Sequence, residues 1–277
     1  MKNRNKEVLN LIYKYGNDTR LALKENKKLP YLYALAELRE NVLEWYDFKE
    51  NGRLLQVGAD YGALTGLFLT KVSEVTVLDP SEESLNVVKM RYRGGKRLTL
   101  VCGDLMTVGS AAELSSSAGG GAADGSLFNG GLLQVGGYDY VTVIGTLTEK
   151  YSLKQQLEAA QALLAPGGVL LLAVCNTFGI KYFAGAERDE VTATKKELEA
   201  LLAGGRFFYP VPDYRIANEI YSDRYLPKKG DLTGALTVYD YPQYTSMDVG
   251  AAYDAVCEDG QFDNFTNSFL VIWEKGV

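Results

Sequence analysis

The chain has 277 residues, a formal net charge of -6 and no histidine. Hydrophobic residues make up 47% of it, which suits the core of one large domain or two small ones and is too many for a disordered chain. Because histidine is absent, the sequence excludes Ser-His-Asp and Cys-His mechanisms, His-ligated metal sites and imidazole bases.

The cysteines and the charge pattern limit the possible partners. Cys102, Cys175 and Cys257 lie far apart with no CxxC pair, so we expect neither zinc nor a disulfide framework. Net acidity without a basic cluster argues against a nucleic-acid partner. The longest apolar run, residues 169–175, is far below the ~20 residues of a membrane helix. The N-terminus has no signal-peptide core, so we expect a cytoplasmic protein with no membrane partner.

Residues 1–50 are predicted to form an N-terminal helical extension. Apolar residues recur at helical spacing from residue 6 to about residue 48, and Pro30 interrupts the pattern. We therefore expect two helices joined by a short turn.

Residues 51–277 are predicted to form one sheet domain. Short β-rich runs alternate with helical patterns from residue 53 to about residue 175, which is typical of βαβ units. The strands are expected at RLLQVG, VTVLD, LTLVCGD, YDYVTVIG and GGVLLLAVC. One of the intervening helices, SEESLNVVKMRY, is expected to start with Ser81 as its N-cap. This order indicates an α/β fold with a doubly wound, mostly parallel sheet.

Two segments interrupt or extend that order. Residues 109–137 hold 9 of the 29 glycines and are expected to be a flexible Gly/Ser insertion. After a helix at TKKELEALLAGG, the run FFYPVPDYR reads as a strand broken by Pro210 and Pro212. Residues 213–266 are rich in tyrosine and precede a final strand, SFLVIWEK. We interpret them as an insertion that is either a packed lid or a substrate-binding surface.

The turn after the first strand, QVGADYGALTG, carries the first candidate site. A GxGxxG dinucleotide fingerprint would need glycine at 58, 60 and 63, and the chain has Gly58, Asp60 and Ala63. A nicotinamide oxidoreductase is therefore disfavoured. The shorter GxGxG turn that approaches S-adenosylmethionine would need glycine at 58, 60 and 62, of which Gly58 and Gly62 are present.

Two further strand ends point to a nucleoside. Asp79 ends the second strand 21 residues after Gly58, where a carboxylate can accept both ribose hydroxyls. Gly103 and Asp104 follow the third strand and suit the adenine edge. An ordinary tight turn and a helix cap are the structural alternatives, but Ser81 can provide the cap and leave Asp79 free.

With these motifs the sequence resembles the class I S-adenosylmethionine-dependent methyltransferases across nearly the whole chain. RLLQVGADYGALTG, VTVLD, VCGDL, YDYVTVIG and LLAPGGVLLLAV match their successive motifs. LRENVLEWYDFKE, NTFGIKYFAG, YPVPDY, IYSDRYLPKKGDL and NSFLVIWEK are similar to a group of bacterial methyltransferase-like proteins often associated with glycosyltransferases. The resemblance implies a seven-stranded Rossmann-like sheet with an antiparallel last strand, and S-adenosylmethionine as cofactor.

The residues expected to contact the cofactor all lie at the ends of the first four strands. They are Gln56, Gly58, Asp60, Gly62, Asp79, Pro80, Gly103, Asp104, Leu105 and Ile144. Two of them depart from the family pattern, because Gln56 replaces an acid that receives the cofactor's ammonium group and Asp60 replaces a glycine. A neutral Gln56 loses the charge assistance that roughly doubles a hydrogen bond's strength. We hypothesise that Asp60 receives the ammonium group instead.

Methyl transfer needs little acid-base help, because a sulfonium is already a strong leaving group and placement of the acceptor supplies much of the acceleration. For a hydroxyl acceptor the candidate bases near the ends of strands four and five are Glu149, Lys181 and Tyr182. The candidate substrate residues are Tyr151, Asn176, Asp213 and Tyr214. A surface or structural role is the alternative for each.

The sequence thus predicts a methyltransferase for an unidentified small-molecule or glycan-related acceptor. The alternative is a catalytically silent relative that uses the sheet as a binding or partner platform. The altered first motif motivates this alternative.

Overall fold

The computed structural model describes residues 2–16, 18–93, 97–107, 133–233, 242 and 244–276. One sheet of nine strands dominates this part of the chain. The strands are β1 (Arg53–Val57), β2 (Glu74–Asp79), β3 (Leu98–Cys102), β4 (Tyr138–Ile144), β5 (Leu164–Asn176), β6 (Thr192–Ala193), β7 (Arg206–Val211), β8 (Glu219–Ser222) and β9 (Ser268–Glu274).

The strand order confirms the doubly wound α/β fold. The order is β3-β2-β1-β4-β5-β9-β7-β8, with β6 paired to β5. Strands β1 to β5 run parallel, as the βαβ pattern predicted, and β9 is antiparallel to β5, as the family resemblance implied. The expected count of seven strands is wrong, because β6 and β8 join the sheet as well. Strand β6 has two residues and β8 has four, so neither is long enough to show an alternating apolar pattern in the sequence.

Ten α-helices are described. They are α1 (Lys2–Tyr15), α2 (Thr19–Glu25), α3 (Leu29–Leu35), α4 (Thr65–Lys71), α5 (Glu82–Arg91), α6 (Leu153–Leu163), α7 (Ile180–Phe183), α8 (Lys195–Leu201), α9 (Val249–Glu258) and α10 (Phe262–Phe265). None of them has the length and apolar character needed to cross a membrane.

The N-terminal extension differs from the predicted pair of helices. It forms three α-helices and a 3-10 segment, Glu37–Val42. Pro30 lies in the first turn of α3, where the backbone N–H that proline lacks would have no helical partner. The proline therefore marks the start of a third helix and not only the break in the helical pattern. Val8 and Leu35 pack with Val87 of α5 in one apolar cluster, which fixes the extension against the sheet domain.

The sheet is covered on both faces. Along β5, Leu170 and Leu172 belong to one buried cluster, and Leu171 and Ala173 belong to the other. This alternation is the two-residue period of a strand whose two faces are both buried. Helices α6 and α8 pack on the first face, and α4 and α5 pack on the second.

The two predicted insertions fare differently. Most of the expected Gly/Ser insertion at 109–137 lies outside the described residues. The tyrosine-rich segment contributes β8, α9 and α10, and its Tyr253 and Phe262 belong to the main core.

The expected break of β7 at Pro210 is wrong. Strand β9 pairs only with residues 206–208, so no hydrogen bond on that side is lost at Pro210.

Helix α6 begins with a capping box that gives a direct test of this local structure. The Ser152 hydroxyl accepts from the backbone N–H of Gln155 at 3.3 Å, and the Gln155 Oε1 accepts from the backbone N–H of Ser152 at 3.1 Å. We expect Ser152→Ala to lower the free energy of unfolding by about 1 kcal/mol. Lys154→Ala, at an exposed position of the same helix, is the control and should change it by less than about 0.5 kcal/mol. Equal losses in urea denaturation would contradict the assignment.

Candidate active site

A cavity of about 1100 Å³ opens at the carboxyl ends of the parallel strands. It lies where β1 has β2 on one side and β4 on the other, the switch point at which open α/β sheets bind ligands. The strand ends, the turn after β1, helix α3 and the chain after β7 all contribute to its wall. Lining residues include Tyr33, Arg39, Gly58, Asp60, Asp79, Pro80, Gly103, Asp104, Leu105, Ile144, Gly145, Tyr151, Arg188, Asp189, Tyr214 and Arg215.

The turn after β1 has a backbone that only glycine accommodates at its first position. Gly58 has φ +86°, and a Cβ there would lie 2.2 Å from the Thr146 side chain. Thr146 is itself fixed, because its hydroxyl donates to the Val57 carbonyl at 2.9 Å. The glycine of the motif is therefore required by the close approach of β4.

Gln56 is buried, and its side chain forms hydrogen bonds with the backbone of this turn. Its amide Nε2 donates to the carbonyls of Gly58 at 2.9 Å and Ala59 at 3.3 Å, and its Oε1 accepts from the Thr65 hydroxyl at 2.9 Å. Gln56 does not line the cavity. The structure thus gives this side chain a role inside the turn and does not bring it to the expected cofactor contact.

Asp79 faces the cavity from the end of β2. Its two carboxylate oxygens accept from the backbone N–H groups of Ala59 and Ser81, both at 2.8 Å. Burial raises the pKa of the Asp79 carboxyl, and the two N–H groups oppose that shift. Each oxygen keeps a further lone pair for a hydroxyl. Ser81 caps α5 by accepting from Ser84, which confirms the predicted cap.

The third strand brings the other expected nucleoside contacts to the same cavity. Gly103, Asp104 and Leu105 line it, together with Pro80 and Ile144. One Asp104 oxygen accepts from the Met106 N–H at 2.8 Å, so the carboxylate has a fixed direction. The structure therefore brings these five predicted residues together at one wall of the cavity.

Sequence reasoning missed Arg39. This residue lies in the 3-10 segment, is only 3% exposed, and pairs with the Asp60 carboxylate. Its Nη1 donates to the Arg215 carbonyl at 3.0 Å. Its pattern in the sequence is that of any charged residue in an amphipathic segment, and nothing there signals a contact with a turn 21 residues later.

The three candidate bases do not line the cavity. Lys181 is fully buried, with its Nζ 3.0 Å from an Asp189 carboxylate oxygen and 3.6 Å from an Asp213 oxygen. The Tyr182 hydroxyl donates to Asp189 at 2.7 Å. Glu149 is exposed to solvent. Lys181 and Tyr182 thus belong to an internal network in which neither of these two side chains itself reaches the cavity.

Asp189 is the centre of that network and does line the cavity. It pairs with Arg215 as well as with Lys181. Burial by itself would raise the pKa of Asp189, but the positive charges of Arg215 and Lys181 outweigh burial and hold the pKa well below its ordinary value. Asp189 is therefore a fixed negative charge with little capacity to accept a proton.

The expected substrate residues divide into two pairs. Asn176 is fully buried, and its Nδ2 donates to the carbonyls of Asn264 and Thr266, both at 2.8 Å, so it fastens the end of β5 to the chain before β9. Asp213 is buried and accepts from the Arg215 N–H at 2.8 Å. Neither lines the cavity, whereas Tyr151 and Tyr214 do.

Tyr214 shapes the middle of the cavity. A Cβ on Gly145 would lie 2.2 Å from the Tyr214 hydroxyl oxygen, so the tyrosine crosses directly over the end of β4. Burial raises the pKa of this hydroxyl. It is suited to donate or accept a hydrogen bond and not to ionise.

Across the described ranges, no group of three or more Cys, Asp or Glu side chains is arranged to hold a metal ion.

The comparison with protein families decides the affiliation. The family model described as "Methyltransferase domain" matches residues 26–219, more than half of the chain. The chain belongs to this methyltransferase domain family. The match spans the glycine turn, Asp79, Asp104 and Tyr214, so the cavity lies within the family's own domain. No curated protein sequence matches the chain.

One solved structure shows the same fold at low identity, and a second is similar at a slightly lower TM-score. A SAM-dependent methyltransferase from Archaeoglobus fulgidus is 14% identical, with 92% of this chain and 98% of that chain covered and a TM-score of 0.50. The N-methyltransferase NodS from Bradyrhizobium japonicum WM9 is 10% identical, with 87% and 96% covered and a TM-score of 0.48.

The Asp189 network predicts a specific loss of stability in acid. Because the pKa of Asp189 is lower in the folded chain, its contribution is fully present above its unfolded pKa of about 4 and is lost progressively as the pH falls from that value through the lower folded pKa. We expect Asp189→Asn to cost about 2 to 4 kcal/mol in urea denaturation at pH 7 and about 1 kcal/mol less near pH 3.

The matched control for this experiment is Glu158→Gln, which removes one partner of the exposed Lys154–Glu158 pair. It should change the free energy of unfolding by less than about 0.5 kcal/mol at either pH. A cost of Asp189→Asn that stays constant between pH 7 and pH 3 would refute the linkage.

Proposed function

We propose that this chain is an S-adenosylmethionine-dependent methyltransferase that acts on a small-molecule or glycan-related acceptor. The observation that carries the proposal is the wall formed by the first three strand ends. There a glycine turn leaves room for a ligand next to Gly58, and two carboxylates with fixed directions, Asp79 and Asp104, face the same cavity.

The residues present suit the nucleoside half of the cofactor. Asp79 keeps two lone pairs for ribose hydroxyls while the turn and the α5 cap hold it in place. Gly103, Asp104 and Leu105 provide a polar edge and an apolar surface for adenine, with Pro80 and Ile144 beside them. The cofactor, when bound, supplies a methyl group on a sulfonium.

The opposite wall is assigned to the acceptor. Tyr151, Tyr214 and Tyr33 bring aromatic rings to the cavity, and Asp189 and Arg215 bring fixed charges of both signs. Tyrosine rings with hydroxyl tips suit polar acceptors such as sugars, which present flat C–H faces and many hydroxyls. This mixture supports the glycan-related alternative among small acceptors.

Of the predicted bases, we assign Lys181 and Tyr182 to positioning. Both contact Asp189, which lines the cavity, and Lys181 also lies beside Asp213. Through these contacts they hold Asp189 and Arg215 in a fixed arrangement. The remaining contribution of the chain to the reaction is to place the acceptor in line with the methyl group and to exclude water.

A cytoplasmic location also belongs to this proposal. Cys102, Cys175 and Cys257 are all unpaired. Unpaired cysteines are typical of proteins from reducing compartments. Fractionation of source cells, followed by immunoblotting, would test this location.

The proposal predicts that S-adenosylhomocysteine binds and that Asp79→Ala weakens its binding about 10- to 100-fold, because hydrogen bonds to a charged group are lost. Isothermal titration calorimetry measures both. The matched control is Asp139→Ala, since Asp139 also accepts from a backbone N–H, that of Arg53 at 2.9 Å, but at the start of β4. This control should leave the affinity unchanged.

A thermal-shift measurement with S-adenosylhomocysteine separates the proposal from the catalytically silent alternative. An unmodified chain that is not stabilised by millimolar S-adenosylhomocysteine would favour the silent relative, since a ligand at 100 times its dissociation constant adds about 2.7 kcal/mol. Incubation with methyl-labelled S-adenosylmethionine and separate pools of oligosaccharides and small amines would then identify the acceptor class.

A further inference from the structure

We propose that Arg39 and Asp60 form a clamp for the amino-acid end of S-adenosylmethionine or S-adenosylhomocysteine. In this clamp Arg39 binds the α-carboxylate and Asp60 binds the α-ammonium group. The inference rests on the proposed function and goes beyond it, since it assigns the zwitterionic half of the ligand to an ion pair that the sequence does not reveal.

The first observation is the position of the pair. Both residues line the cavity, Asp60 from the turn after β1 and Arg39 from the 3-10 segment that packs against this turn. Arg39 is almost completely buried, whereas the Asp60 side chain is 29% exposed toward the cavity. A ligand that binds in the cavity next to this turn would therefore contact the Arg39–Asp60 ion pair.

The second observation is an unpartnered donor. Arg39 uses Nη1 for the Arg215 carbonyl and Nη2 for Asp60, but its buried Nε has no hydrogen-bond partner in the described part of the chain. Buried donors of a charged group are nearly always satisfied, so an exception marks a place where a water, an ion or a ligand supplies the missing acceptor. A carboxylate, with two oxygens, is the acceptor that a guanidinium fits best.

The third observation is the backbone of the turn. Asp60 and Tyr61 have φ of +40° and +54°, in the left-handed region that residues other than glycine seldom adopt. Aspartate tolerates this region better than most residues. Arg91 holds the conformation by donating to the Tyr61 carbonyl at 2.8 Å. The turn thus accepts a side chain at position 60 and directs it to Arg39.

The other polar groups of this wall already have different partners. The amide of Gln56 is used within the turn, so it is not available for an ammonium group. Asp79 is fixed at the end of β2 by Ala59 and Ser81. Asp60 therefore remains as the carboxylate at the turn, and Arg39 is its cation.

The charges are complementary to an amino acid. In the free chain there is one ion pair, and a bound zwitterion converts it into two, guanidinium with carboxylate and carboxylate with ammonium. No covalent bond changes. The arrangement would give the chain a preference for ligands that carry the amino-acid end over nucleosides that lack it.

The test compares S-adenosylhomocysteine with 5′-methylthioadenosine, which has the same nucleoside and no amino-acid end. Calorimetric titration should show tighter binding of S-adenosylhomocysteine to the unmodified chain. Arg39→Met should weaken S-adenosylhomocysteine at least about tenfold and change 5′-methylthioadenosine by less than about threefold. Arg20→Met removes a cation that pairs with exposed Glu37 and should change neither affinity.

Asp60→Asn is the second variant and serves if Arg39→Met does not fold, because asparagine keeps the shape and tolerates the left-handed backbone. It should weaken S-adenosylhomocysteine at least about fivefold and leave 5′-methylthioadenosine unchanged.

The possible failures are distinct. Equal losses for both ligands in Asp60→Asn, or an unchanged affinity for S-adenosylhomocysteine, would overturn the clamp alone. Binding of neither ligand to the unmodified chain would overturn the proposed function and the clamp with it.

Discussion

The site depends on the carboxylate of Asp79. This carboxylate accepts the N–H of Ala59 in the turn after β1 and the N–H of Ser81 at the start of α5, both at 2.8 Å. Parallel pairing alone sets the distance between β1 and β2, but it does not fix the loops beyond them. Because one charged side chain joins both loops, the two strand ends form a single rigid wall, and Asp60 and Gly103 have defined positions relative to it.

The facing wall is fixed by charge as well, but through a different arrangement. Asp189, Asp213, Lys181 and Arg215 place two negative and two positive charges in or near the interior. Such a group is expensive to desolvate and is held only while every member keeps its partner. It joins the chain after β5 to the chain after β7.

The sequence predicts the roles of residues that depend on their neighbours in the chain. It does not predict the roles that depend on contacts between distant parts of the chain. Gly58 was predictable because a turn of this shape needs a left-handed residue next to a strand end, and Ser81 because a cap is read from its own neighbours. Arg39 was not predictable, since its role comes from a fold that brings residue 39 to residue 60. Asn176 was misjudged for a related reason. It does end β5, as expected, but the chain before β9 covers it, and sequence spacing gives no information about that cover.

The absence of histidine takes on a more precise meaning in this cavity. Four titratable groups in or behind the cavity wall have pKa values displaced away from neutrality, downward for Asp189 and upward for Tyr214, Tyr182 and Lys181. The causes differ, because burial raises the pKa of Tyr214 and Tyr182, whereas the charged partners of Asp189 and Lys181 outweigh burial and stabilise their charged forms. Groups held in this way keep a constant charge through the reaction and cannot relay protons near pH 7. They can orient an acceptor and stabilise a fixed distribution of charge, which is the contribution that transfer from a sulfonium requires of its protein.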